Sequence, residues 1–234
     1  MPPRERFGHS SKSVRVPFTR IQKVASRALV ASKATSAHSY ATCECDYTAV
    51  DVIRRRERLT YLPFVARAVV IALREYSDLN ATTEGEQVTT SDRIRLGIAV
   101  DLDHHGLVVP VVRNADELTV SGLGATIADL ATRARAKKLI LDDVAGATFT
   151  ITNPGGFGTY LSFPIINQPE VAILSSDGVR KSVVADPDSG GLAIRRIGYL
   201  GLAYDARAVQ SGTAAQFLHR VAMLIEHSDW GAQL

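Results

Sequence analysis

Two apolar segments near the C-terminal end restrict the fold of this 234-residue chain more than any other feature. Val171 to Val184 and Leu192 to Tyr204 both read as long strands. Between them lies Asp186-Pro187-Asp188-Ser189-Gly190-Gly191, a turn composition. Such segments pair as an antiparallel hairpin, which needs a larger sheet to bury its faces. Leu200, Leu202 and Tyr204 alternate with smaller residues up to Asp205-Ala206-Arg207, where a charged tripeptide leaves the strand. The end of a buried strand is a place where chemistry is often mounted.

The rest of the chain supplies the sheet's other strands and its cover. Residues 1–15 read as an extended arm, with Pro2-Pro3 and Ser10-Ser11-Lys12-Ser13, and residues 16–234 as one domain. Helices are predicted from Pro17 to about Lys33, Thr48 to Arg58, Leu62 to Tyr76, Thr119 to Lys138 and Thr213 to about Glu226. The third of these is apolar nearly all round and should be buried. Strands are predicted from Ser39 to Tyr47, Arg93 to Asp101, Gly106 to Val112 and Thr148 to Thr152. Asp103-His104-His105-Gly106 forms a turn between the second and third of these, and Thr82 to Thr90 is a polar hairpin or loop. The order of elements indicates an α+β domain with a mixed sheet covered by helices.

Composition excludes several classes. Hydrophobic content of 46% and charged content of 22% suit an ordinary globular domain able to bury a sizeable core. The apolar run Val69 to Leu73 is far too short to span a membrane, and the polar N-terminus has no signal-peptide core. Cys43 and Cys45, two apart in a strand, point to one face and should not pair. They read as small buried hydrophobes in a reducing, cytoplasmic setting, with no metal expected. The net charge of +3 is unevenly placed: Arg4 to Lys33 holds eight basic residues against Glu5, and Arg54-Arg55-Arg56 with Arg58 forms a second cluster. Nucleic acid is not expected, because no aromatic or motif support accompanies these clusters. Solvated helix faces or contacts to a neighbouring subunit account for them; a site for cofactor phosphates is the sharper reading.

The segments VRVPFTRIQKVASRALVASKATSAHSY, YLPFVARAVVIALREYSDLNA, GLVVPVVRNAD, TFTITNPGGFGTYLSFPIINQPEVAIL and YLGLAYDARAV resemble the catalytic core of the dihydrolipoyl acyltransferases of 2-oxo acid dehydrogenase complexes. The resemblance runs from about Val14 to Glu226. It implies the fold of chloramphenicol acetyltransferase and a homotrimer with its active site in a channel between subunits. Coenzyme A would enter from one side and a small-molecule or carrier-bound acyl acceptor from the other. The family pattern Y/F-D-H-R-x-x-D-G carries a general-base His and a supporting Asp. Here those positions are Ala206 and Gln210, while Asp205 and Arg207 remain. Neither a lipoyl domain nor a peripheral-subunit-binding domain precedes Val14, and Met1 with its arm points to a free-standing protein. The resemblance extends to free-standing relatives of secondary metabolism that acetylate a small hydroxyl acceptor. The polar tail after Glu226 suggests trimers without a larger shell.

Coenzyme A acyl transfer needs a base for the attacking thiol or hydroxyl and a donor for the tetrahedral oxyanion. The family's donor is a Ser or Thr hydroxyl, and Thr152 in T-I-T-N matches it. The Gly155-Gly156-Phe157-Gly158 turn lets backbone approach closely, either to coenzyme A or to a neighbouring strand. Asp205 and Arg207 are grouped with Gly155 and Gly156 as cofactor-binding candidates, and Ala206 and Gln210 with Thr152 as the catalytic positions. Three accounts fit the empty base position: an inactivated variant of a working enzyme, another base among His38, His104, His105 and Asp205, or a non-catalytic scaffold or coenzyme A-binding homologue.

Overall fold

The computed structural model describes residues 15–102, 106–186 and 190–234. The arm lies almost wholly outside them, as do His104 and His105. Five α-helices and eleven strands are named here in chain order among the described residues. The main sheet runs β1 (His38–Asp46), β11 (Leu192–Asp205), β9 (Ala172–Ser176), β8 (Phe149–Thr152), β4 (Leu96–Ile98) and β7 (Val111–Val112). β10 (Arg180–Ala185) pairs with the outer half of β11. β8 lies parallel to β4 and β9, whereas β11 is antiparallel to β1, β9 and β10, so the sheet is mixed as its pattern predicts. Two small hairpins stand apart: β2 (Ala81–Glu84) with β3 (Gln87–Thr90), and β5 (Val100–Asp101) with β6 (Leu107–Val108).

One sheet face carries most of the core. α5 (Ser211–His227) packs on β1 and β11, and α3 (Leu62–Glu75) packs against α5 and α4 (Val120–Arg135). Nine residues of α3 are buried, because its apolar side chains meet neighbours on nearly every side. Cys43 and Cys45 lie on this face, with Sγ atoms directed at the carbonyls of Leu218 and Ala222 in α5. Burial pushes the Cys43 thiol up to about 12 and Cys45 higher still, so both stay protonated and inert. α2 (Thr48–Arg56) packs against α5 and β11, and folds Arg54 and Arg55 onto Asp51, which Arg196 also meets. The arginine cluster is thus largely an ion-pair network on a helix face.

The opposite face is thinly covered. Ile166, Ile173 and Ala203 form a small cluster beneath the 159–168 loop. α1 (Arg20–Thr35) rests over this side and buries only Ser32, whose hydroxyl donates to the Ile166 carbonyl at 2.6 Å. Val16, Phe18, Ile21, Val24, Leu29 and Val30 remain exposed. α1 starts three residues later than Pro17 because a stronger stop precedes it. Thr19 Oγ1 accepts from Gln22 N, and Gln22 Oε1 accepts from Thr19 N, a reciprocal cap.

The predicted strand from Val171 to Val184 is divided at Asp177. That side chain turns inward and accepts from Thr159 Oγ1, Ser162 N and Oγ, and Ser175 Oγ at 2.7–3.2 Å. It ties the 153–163 loop to the sheet, at the cost of one break in the ladder.

Candidate active site

The two halves of the predicted site lie at the ends of two antiparallel strands. Thr152 ends β8 and lines a cavity of about 250 Å³ on the thin face, with Thr150, Ile166 and Ile173 among its neighbours. Asn153 leaves the strand, and its side chain accepts from Gly155 N at 3.1 Å to start a single helical turn, Pro154–Phe157. Gly158 closes that turn at φ +78°, a conformation favouring glycine. A Cβ at Gly155 would come within 2.8 Å of the Asp177 carbonyl, so this glycine serves a close approach to neighbouring backbone. Gly156 faces open space.

Ala206 lies just beyond β11, exposed, with its N–H donating to Ala37 O at 3.0 Å. Asp205 is buried and accepts from Ala37 N, Arg207 N, and Arg207 Nε and Nη2, the last at 2.6 Å. Burial alone would raise this carboxyl. The Arg207 contacts and a bond from Ser36 outweigh it and hold the group below the usual carboxylate range. The pair's stabilisation is therefore present above about pH 4 and is lost as acid protonates the carboxylate. Asp205 and Arg207 hold the turn at position 206 by these contacts.

Within one chain the halves stay apart. Thr152 stands opposite Ser175, and Ser175 opposite Gly201. Ala206 is five residues further along β11, so two strand spacings and that run separate it from Thr152 by roughly 19 Å. The structure does not bring Thr152 together with Ala206 in a single subunit.

His38, one of the sequence candidates for a substitute base, sits opposite Asp205 in the ladder. Its Nε2 accepts from Ile166 N at 3.1 Å, and Nδ1 lies 3.2 Å from Ser36 O. One neutral tautomer satisfies both contacts, so the lone pair a base would use is already engaged. Among the described residues, no cluster of His, Cys, Asp or Glu could hold a metal ion, and no helix is long and apolar enough to cross a membrane.

Gln210 is the N-cap residue of α5, with extended backbone and no side-chain bond to the first turn. Asp is a far better cap, and its charge also suits a helix N-terminus. Gln210→Asp should therefore stabilise the fold by about 1 kcal/mol. Urea unfolding checks this: the midpoint rises with an unchanged slope, whereas a lowered midpoint would show that Gln210 makes a compensating contact.

Comparison with known proteins decides the family. The family described as 2-oxoacid dehydrogenases acyltransferase (catalytic domain) matches residues 10–230. The chain belongs to this acyltransferase family. It is 40% identical over 217 residues to the dihydrolipoyllysine-residue succinyltransferase component of the 2-oxoglutarate dehydrogenase complex of Bacillus subtilis (strain 168), covering 88% of this chain and 51% of that protein. The chain spans about half the length of the curated relatives it matches. Azotobacter vinelandii dihydrolipoamide acetyltransferase superposes with a TM-score of 0.87 at 32% identity, over 96% of each chain. Its crystallographic and enzymatic study concerned the role of a serine, a histidine and an asparagine in the catalytic mechanism. Chloramphenicol acetyltransferase shares the fold alone, with a TM-score of 0.59 at 10% identity over 86% of this chain and 94% of that one. The acyltransferase core and its chloramphenicol-acetyltransferase-like fold are as the sequence motifs imply.

Two features of the site had no sequence reading. Asp177 anchors the loop after Thr152, and the buried Glu170 bonds Thr150 and Asn167 beside the cavity. Thr159, Ser162 and Thr150 lie 15 to 20 residues from the carboxylates they bond, where strand periodicity gives no signal.

Proposed function

We propose that this chain is a coenzyme A-dependent acyltransferase core that keeps the oxyanion donor, Thr152, and lacks the base. The observation carrying this reading is Thr152 at the cavity-facing end of β8, inside an otherwise intact family segment. In the A. vinelandii enzyme the histidine and asparagine under study are four residues apart, as Ala206 and Gln210 are here. An acceptor thiol or hydroxyl attacks the thioester carbonyl. Thr152 Oγ1 donates to the oxygen that becomes negative, and the acceptor's proton must leave to a base that Ala206 cannot supply; collapse of the tetrahedral intermediate breaks the C–S bond and expels the coenzyme A thiolate, which takes up that proton. The compared enzymes carry succinyl and acetyl names, so their likeness points to no single acyl group.

The functional unit is a homotrimer on this reading, as the family resemblance implies, and a neighbouring copy completes the site whose halves stand roughly 19 Å apart in one chain. Exposed apolar side chains outside the cavities support self-association: Val16, Phe18 and Val30 around α1, and Val183, Leu192 and Ile194 on the β10–β11 hairpin. Trp230 is buried within its own subunit and so is not offered as an anchor between trimers. Light scattering should give three times the 25.2 kDa chain mass. A monomer or a megadalton particle would contradict the assembly.

Coenzyme A binding tests the reading itself. Titration calorimetry should detect saturable heat. At about a hundred times Kd the ligand should stabilise the fold by about 2.7 kcal/mol, raising the melting temperature. Absence of both at millimolar ligand would remove coenzyme A from the account. The joint loss of base and carboxylate at Ala206 and Gln210 favours one second reading: a homologue that binds coenzyme A without turnover. Restoring the base with Ala206→His separates the two.

A further inference from the structure

A larger cavity of about 960 Å³ lies under α1, between that helix, the β2–β3 hairpin and the 144–148 segment. Ala28, Leu29, Leu107, Val109, Asn167 and Gln168 line both this cavity and the smaller one at Thr152, so the two are neighbours that share a wall. Its volume falls in the range of small-molecule sites, which are mostly apolar with a few placed polar groups. Glu170 is one of those groups. It is 1% exposed, and its Oε1 accepts from both Thr150 Oγ1 and Asn167 Nδ2 at 2.9 Å. Oε2 is buried with no hydrogen-bond partner. Native structures rarely leave such an atom unpaired without a reason.

We propose that Glu170 is a ligand-binding residue of this cavity, donating from Oε2 to a carbonyl or hydroxyl oxygen of an uncharged, largely apolar molecule held under α1. Naming that molecule as the acyl acceptor rests on the acyl-transfer reading above; the site itself does not. The donor role follows from the hydrogen bonds. Oε1 already accepts hydrogen bonds from two neighbours, so a neutral carboxyl carries its proton on Oε2. Burial pushes this group up to about 8, against the opposing bonds from Thr150 and Asn167, which keeps it neutral at pH 7. Arg20 on α1 and Arg95 ahead of β4 are the other charged groups lining the cavity, while the hairpin contributes Thr82, Thr89 and Thr90.

Decanamide, an uncharged amide on an apolar chain, is a suitable probe, with binding followed by calorimetry on the full chain. It should bind saturably at pH 7 and weaken about tenfold by pH 9, as Glu170 loses its donor proton. Glu170→Gln keeps an acceptor for Thr150 and Asn167 and turns an N–H towards the ligand. It should bind as tightly as the wild type at pH 7, with a flat pH profile. Glu170→Leu should lose about tenfold at pH 7. Failure of decanamide to bind, a flat profile in the wild type, or a falling profile in Glu170→Gln would overturn the proposal. If coenzyme A binds and decanamide does not, this inference fails while the acyl-transfer reading stands. If decanamide behaves as described and coenzyme A does not bind, the site is supported and that reading falls.

Discussion

Ala206→His should raise acyl transfer from acetyl-coenzyme A to a thiol or hydroxyl acceptor by about 10²–10⁴-fold, the usual worth of a positioned general base. The backbone at 206 is already fixed. Ala206 N–H donates to Ala37 O, and buried Asp205 holds both the Ala37 and Arg207 amides. The position is exposed within one subunit, so an imidazole meets no packed neighbour there, and stability should change by no more than about 0.5 kcal/mol. Rescue should be partial, because Gln210 supplies no negative charge. Gln210→Asp added to Ala206→His should gain further, over and above its effect as a helix cap. Steady-state rates with free coenzyme A release as the readout check this. Two results would contradict it: a starting protein already as fast as the variant, or an Ala206→His protein that binds coenzyme A and remains inactive. The second would favour the binding-only reading.

Trp230→Ala should cost about 3–5 kcal/mol of folding stability, the range for removing a large buried aromatic. Trp230 is fully buried, packs edge-on against Phe64 of α3 at 5.5 Å, and donates from Nε1 to the Ile225 carbonyl of α5 at 3.1 Å. Its loss therefore opens a cavity between two helices and leaves that carbonyl short of a donor. For a chain this long, each kcal/mol shifts Tm by about 2–4 °C, so a fall of roughly 6–20 °C is expected. Trp230→Phe keeps most of the volume and should lose less than half as much. Calorimetric melting checks both variants. A Trp230→Ala protein within about 2 °C of the wild type would mean the last turn of the chain can detach without disturbing the α3–α5 packing, at about 1 kcal/mol or less.

The elements most legible in the sequence are those with local causes. β8 and its ending are readable from alternating TFTIT followed by Asn-Pro-Gly-Gly, and α3 from an apolar run opened by Pro63. Thr19-x-x-Gln22 was readable too as a capping box, a better marker of the start of α1 than Pro17. What could not be read depends on partners far along the chain. Asp177 breaks a strand because Thr159 and Ser162 reach it from a loop. His38 is excluded as a free base by Ile166, 128 residues away. Motif spacing likewise picks out Thr152 and position 206 without showing that two strand spacings and a run of sheet keep them apart in one chain.

One subunit should supply Thr152 and another position 206, and a mixing experiment tests this central claim most directly. The double variant Ala206→His with Thr152→Ala has a base and no oxyanion donor, and the unaltered chain has the donor and no base. Each alone should show only background transfer, since losing either group costs about 10²–10³-fold or more. Unfolded together and refolded as mixed trimers, they should regain activity at interfaces that pair the imidazole introduced in the variant with Thr152 of the unaltered chain. Mixed trimers that stay at background, while Ala206→His with Thr152 intact is active on its own, would place both groups in a single subunit and contradict the account.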